Sequence, residues 1–274
     1  MRKSFQIEKA EYGSKMIVVG KWNDAHLHYL LDHKIYELEL NTAKGWKISN
    51  TKFLKDLNFL KGITIVGIGD PVKEVSGIHY LSKLKLLNIQ TYCNTKIDFS
   101  SFPKLEICVL EWKPKSESLF ECANLKRLWV NSLKKKDTED FLSLVNLEWL
   151  SFGNGPVGNL KGLRNLSKLK HLELFRLRKL SSLDGIEKLK NLKRLEIHTC
   201  KYFKTINKLK SLTNLRVLWL INCGGIESLK PLSKLHNLKE YLMYESTNIL
   251  DGDLTPISKI GNQRRFPPVF ITKS

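Results

Sequence analysis

The strongest constraint on this chain is a short apolar phrase that returns ten times. Its template is L-x-x-L-x-L, with I, V, F, M, C or Y standing in for leucine. It reads IYELEL from Ile35, LKGITI from Leu60, LKLLNI from Leu84, LEICVL from Leu105 and LKRLWV from Leu125. It continues as LEWLSF from Leu147, LKHLEL from Leu169, LKRLEI from Leu192, LRVLWL from Leu215 and LKEYLM from Leu238. Successive starts are 25, 24, 21, 20, 22, 22, 23, 23 and 23 residues apart. Self-similarity at a short, nearly fixed period marks a repeat architecture. One such repeat cannot bury its leucines alone, so neighbours must stack into a continuous core. Each well-buried leucine then contributes about 1.5–3 kcal/mol.

Between phrases the apolar residues step by three. Leu180, Leu183, Ile186, Leu189 and Leu192 follow Leu177, and Ile226, Leu229, Leu232, Leu235 and Leu238 follow Cys223. A step of three suits 3₁₀ turns, in which side chains at i and i+3 line up. The pattern resembles the leucine-rich repeat, in short versions similar to those of bacterial internalins, phosphatase-regulating repeat proteins and plant disease-resistance receptors. The resemblance implies an α/β solenoid, wound as a right-handed superhelix. A curved parallel sheet would line its concave face, with 3₁₀ and loop segments on the convex face. It also implies recognition rather than catalysis. Residues 1–34 read as an N-terminal cap (strand KMIVVGKW, then helix DAHLHYLLDHK). Residues 35–245 hold the ten repeats. Residues 246–274, with Pro256, Pro267 and Pro268, read as a C-terminal cap. KPKSESLFECAN and NSLKKKDTEDF are the least regular connections.

The charge is lopsided: 46 Lys and Arg against 27 acids give a net +19. Such a balance favours nucleic acid or another acidic surface as a partner, provided the cations form a coherent stripe. No apolar run is long enough to span a membrane, and the charged start lacks a secretion signal, so a cytoplasmic protein is expected. The 5 cysteines form no C-x-x-C pair, which argues against a disulfide or zinc framework. Cys200 and Cys223 each fall eight residues after the first leucine of a repeat. The family places an inward-pointing Asn or Cys there. Cys108 replaces a strand leucine, and Cys122 takes another inward slot. Buried cysteine acts as a small hydrophobe. The glycines after Cys223 suit a turn.

If the leucines point inward, the third, fifth and seventh positions of each phrase point out, and the eighth lies at the rim. Trp112, Trp129, Trp149, Phe175, Trp219 and Tyr244 all fall on this face. Tryptophan, tyrosine and arginine are the residues that most often anchor interfaces. The competing account is that the rings merely pack on one another across strands. These forty positions carry seven acids (Glu37, Glu39, Glu111, Glu173, Glu196, Glu240, Glu245), three arginines (Arg127, Arg176, Arg194) and no lysine. The lysines fall on return segments and turns, so the face itself offers nucleic acid no basic stripe. Glu173 and Glu196 should stand side by side, relieved by Arg194 and His171 or awaiting a cation from a partner.

Catalytic patterns are missing from the sequence: there is no G-x-S-x-G, no phosphate loop ending in G-K-[ST] and no H-E-x-x-H. GIGD at 67–70 is an incomplete glycine-rich match. HLH at 26–28 with His33 lacks a further ligand and reads as the surface of a cap helix. His171 and His198 share the face with two glutamates, but an open face does not shut out water. The expectation is a non-enzymatic module, without metal, cofactor or small-molecule substrate. It would bind a protein bearing a basic patch through Trp112, Arg127, Trp129, Trp149, His171, Glu173, Phe175, Arg194, Glu196, His198, Trp219 and Tyr244. An immunity protein that neutralises a basic toxin, or a regulator, would fit such a face. The alternative is nucleic-acid or acidic-polymer binding through the lysine-rich outer surface. Oligomeric state is left open by the sequence.

Overall fold

The computed structural model describes residues 4–47, 50–67, 69–112, 115–258 and 260. Pro267 and Pro268, assigned above to a C-terminal cap, lie outside the described residues. The chain divides into two units, residues 1–125 and 126–274.

The first unit opens with strands β1 (Phe5–Ala10) and β2 (Gly13–Val18) and helix α1 (Asp24–Asp32). Strands β3 (Glu37–Asn41), β4 (Gly62–Gly67), β5 (Leu86–Thr91) and β6 (Ile107–Glu111) follow. β1 and β2 form an antiparallel hairpin, and β2 then pairs in parallel with β3. Parallel pairing continues through β4 and β5 to β6, with equivalent template positions opposite one another. In α1, His26 closes the capping box with Asn23. It is fully buried, and its Nε2 lies 3.1 Å from the Ser4 carbonyl oxygen. His26 is therefore part of the helix packing, not the helix surface that the sequence suggested.

The second unit carries β7 (Arg127–Asn131), β8 (Trp149–Gly153), β9 (His171–Phe175) and β10 (Arg194–His198). It continues with β11 (Val217–Ile221), the short β12 (Gly225–Ile226), β13 (Glu240–Tyr244) and the short β14 (Asn248–Ile249). β7, β8, β9, β10, β11 and β13 pair in parallel in that order, and β12 pairs with β14 separately. Each repeat strand begins at the third residue of its phrase, where alternation first puts one side chain in and the next out. 3₁₀ segments return the chain, as at Glu139–Ser143, Asn207–Ser211 and Lys230–Lys234. Leucines from both sides of each loop are fully buried, among them Leu172, Leu180, Leu189, Leu195, Leu209 and Leu218. An asparagine just before the phrase ties one repeat to the last. Asn191, Asn214 and Asn237 donate from Nδ2 to the carbonyls of Ser167, Lys190 and Thr213, at 2.8, 2.9 and 2.8 Å.

The eighth position has a backbone rule of its own in this unit. Ser132, Asn154, Arg176, Thr199, Asn222 and Glu245 all have positive φ, between 51° and 58°. The left-handed turn ends each strand and aims an amide at the next repeat. Arg176 N donates to His198 O and Thr199 N to Ile221 O, both at 2.8 Å. A non-glycine residue pays about 1–2 kcal/mol for this conformation, and a β-branched one fits it worst. Glycine relieves that strain but brings its own entropic cost of about 0.5–1 kcal/mol. Thr199→Gly is therefore expected to stabilise the protein by about 0.5–1 kcal/mol, read as a higher urea midpoint. A lower midpoint would show that the Thr199 side chain contributes more than its backbone strain costs.

The cysteines belong to the interior. Cys93, Cys108, Cys200 and Cys223 are buried, and Cys122, expected to point inward, is half-buried. The Cys223 sulfur sits 3.2 Å from the Ile197 carbonyl, and its amide donates to Thr247 Oγ1 at 2.9 Å. Burial pushes the thiols of Cys122, Cys200 and Cys223 up to about 12. They are neutral at physiological pH, so they lack the thiolate needed for nucleophilic chemistry. Of the two glycines after Cys223, only Gly224 turns, with φ +73°, whereas Gly225 lies in β12.

Candidate functional site

Eleven of the twelve expected site residues lie in the second unit, on its repeat strands. Trp112 lies in the first unit, half-buried, with its ring centroid 5.8 Å from that of Phe120. Within the second unit the rings are grouped. Trp129 on β7 and Phe175 on β9 stack at 5.9 Å and 15°, although β8 runs between their strands. Gly153 on β8 permits this. A Cβ there would stand 2.4 Å from the Phe175 ring and 2.0 Å from the Phe175 carbonyl oxygen. Trp149 meets His171 edge to face at 5.5 Å. The Arg194 guanidinium lies 4.2 Å above the Trp219 ring, and Trp219 Nε1 donates to Glu240 Oε1 at 2.9 Å. The rings do pack on one another, as the competing account held. Even so, Trp129, Trp149, Phe175 and Trp219 stay half-buried, and Tyr244 and Arg127 are exposed.

Glu196 is the electrostatic centre. It stands opposite Glu173 in register. Arg194 Nε donates to its Oε1, His198 Nε2 is 3.1 Å from Oε2, and His171 Nε2 is 3.4 Å from Oε1. The expected neighbours are present, and they enclose Glu196 until only 8 % of it is exposed. It lies on the same face as these neighbours, and only its expected exposure is corrected. Burial works against its ionisation, but His171, His198 and Arg194 together outweigh burial and hold the carboxyl well below the ordinary carboxylate range. Glu173 is half-buried and accepts from Ser151 Oγ at 2.7 Å. The donor atoms of Glu173, Glu196 and His198 lie within 4.8 Å of one another. That set could ligate a metal, but the Arg194 guanidinium already supplies the positive charge on Glu196.

A depressed pKa in the folded state means the ionised form stabilises the fold. The contribution of Glu196 is fully present above its unfolded value, near 4.5, and is lost as the pH falls below that. The stability advantage of the wild type over Glu196→Gln is therefore expected to be full at neutral pH. It should shrink steadily under acid, measured by urea unfolding across a pH series. An advantage that does not change through the acid range would mean the carboxylate charge has no structural role.

The first unit departs from the expected open face. Glu37 and Glu39 are buried, not exposed. β2 brings Lys15 onto Glu39, Lys44 adds a second contact at 3.0 Å, and the Tyr12 amide donates to Glu37. Glu39 is neutralised by the two lysines and Glu37 is held by the amide, so neither buried acid is offered to a partner. The alternating-face reading also left out the second position of each phrase, which is exposed at Lys170, Lys193, Arg216 and Lys239. The signal was in the sequence, as a basic residue straight after the first leucine in four consecutive repeats.

No family model and no curated protein sequence matches the chain. Solved structures do match. An internalin (InlF) of Listeria monocytogenes aligns with 82% of this chain and 64% of its own, with TM-score 0.67 and 22% identity. The leucine-rich-repeat protein LIC12759 of Leptospira interrogans aligns with 84% of this chain and 59% of its own, with TM-score 0.64 and 22% identity. The internalin InlC2 of Listeria monocytogenes aligns over 70% and 84%, with TM-score 0.58 and 22% identity. The chain thus spans less than two thirds of the first two of these structures. No helix among the described residues is long and apolar enough to cross a membrane. With these neighbours, and with 3₁₀ returns and buried leucines at the strand period, the chain has the leucine-rich-repeat fold, an α/β solenoid.

Proposed function

We propose that the chain binds a protein partner through the sheet face of its second unit, with no catalysis of its own. The observation that carries this reading is the set of half-buried rings on that face. The core is already filled by leucines, so Trp129, Trp149, Phe175 and Trp219 are not needed to complete it. Large rings held at a surface beside an arginine are the usual anchors of an interface. Glu173, with one oxygen free of hydrogen bonds among the described residues, and the exposed Glu245 would receive cations from a basic patch on the partner. Trp112 of the first unit is proposed as a further contact. An immunity protein acting on a basic toxin, or a regulator, in the cytoplasm is the role we favour. The test is a pull-down from the native host with wild-type protein, Trp129→Ala and Trp219→Ala. One partner held by the wild type and lost by both variants is expected. Equal retention by both would place the interface elsewhere.

A further inference from the structure

The second residue of each phrase stands just ahead of its strand, where the backbone of one repeat hydrogen-bonds to the last. The amides of Lys193, Arg216 and Lys239 donate to the carbonyls of Lys170, Lys193 and Arg216, each at 2.8 Å. The four residues therefore form a single file, one strand spacing apart, about 4.8 Å. All four side chains are exposed. Lys170 pairs with Glu148 at 2.6 Å, whereas Lys193, Arg216 and Lys239 pair with no carboxylate among the described residues. Like charges at this spacing repel, and nothing in the packing requires three unpaired cations in a row. Lys168 and Lys190, also exposed, thicken the same edge.

From this file we infer a second binding site, for single-stranded nucleic acid, along the strand-start edge of the second unit. A straight single row of cations suits one line of phosphates. A duplex presents two strands across a groove about 12 Å wide, which one row does not span. Sites for single strands combine a cationic track with aromatic surfaces on which bases stack. Both parts are present. Trp149 and His171 directly follow the second-position residues Glu148 and Lys170, and both rings are half-exposed at the adjoining rim of the sheet. A sulfated glycan or an acidic peptide would use the cations but has no planar base for the rings. Its charges lie on the flank of the strands, apart from the partner face proposed above, with which it shares the rings of Trp149 and His171.

The test is fluorescence anisotropy of a labelled oligothymidylate over a potassium chloride series. Each phosphate contact on a single strand adds about 0.7 to the slope of log affinity against log salt. Neutralising Lys193, Arg216 and Lys239 together to Gln is expected to flatten that slope by about 2 and to weaken binding at least about tenfold at moderate salt. The matched control neutralises Lys179, Lys201 and Lys204, exposed residues beyond the far ends of the strands. It should change the slope by less than half as much. All six side chains are at the surface, and the unfolding midpoint of each triple variant checks that the fold is kept. Equal flattening by the control would overturn the proposal, since binding would then follow net charge alone. So would a heparin oligosaccharide or a polyglutamate peptide that displaces the oligothymidylate at equal charge concentration, because the edge would then accept any polyanion.

Discussion

Phe152→Ala is expected to destabilise the protein by about 3–5 kcal/mol. Phe152 is fully buried at the sixth template position of β8, where its strand neighbours in register are Val130 and Leu174. Its ring reaches that of Phe141, 5.3 Å away on the preceding 3₁₀ segment. The alanine would leave a cavity between two strands that are each fixed by their own ladder, so the site has little freedom to collapse. Repeats couple chiefly to their neighbours, and a void in mid-stack weakens the contacts on both sides. The loss should appear as a lower urea midpoint. A cost under about 1.5 kcal/mol would mean that the stack closes around the gap.

Phe152 also shows what the sequence carries well. Its place in the sixth slot follows from the phrase alone, as does the inward register of Leu172, Leu195 and Leu218. Burial of a periodic apolar set dictates strand starts and core identity together. Other parts of the fold depend on forces with no such period. β1 reads FQIEKA and is exposed on most of its length, so no apolar alternation announced it. It is a strand because β2 offers an edge to pair with. The pairing of β2 with β3 is why the exposure of Glu37 and Glu39 was misjudged: it brings in Lys15 from a strand outside the repeats. The left-handed rim is equally silent. Ser132, Asn154, Arg176, Thr199, Asn222 and Glu245 share no chemistry, because the demand falls on their amides and not on their side chains.

The candidate site was legible to a similar degree. Alternation placed Trp129, Trp149 and Trp219 on the outer face of the sheet, and strand register put Glu173 beside Glu196. What it could not give was the internal bonding: Arg194 serving Glu196 and Trp219 at once, or Gly153 letting Phe175 reach Trp129. Those contacts depend on rotamers, and they turn a row of residues into a rigid surface. The basic file was missed for a different reason. The second position belongs neither to the core nor to the alternating face, so a two-face reading has no place for it.

Trp219→Ala is expected to weaken partner binding at least about 30-fold, or about 2 kcal/mol. The Trp219 ring is held before any partner arrives, by Arg194 above it and by Glu240 at its Nε1. A side chain already fixed loses little entropy on docking, so more of its contact area appears as affinity. The alanine also frees Arg194 from its stack and leaves Glu240 without its donor. Trp219→Phe separates these contributions. It keeps a ring for Arg194 to cover but removes the indole N–H, so an intermediate loss is expected. Titration calorimetry with the captured partner gives the values, and circular dichroism of each variant checks the fold. If Trp219→Ala binds within threefold of wild type, the ring only shields the sheet and the anchor lies elsewhere on the face. If both variants fall equally, the hydrogen bond to Glu240, and not the ring area, sets the surface that the partner meets.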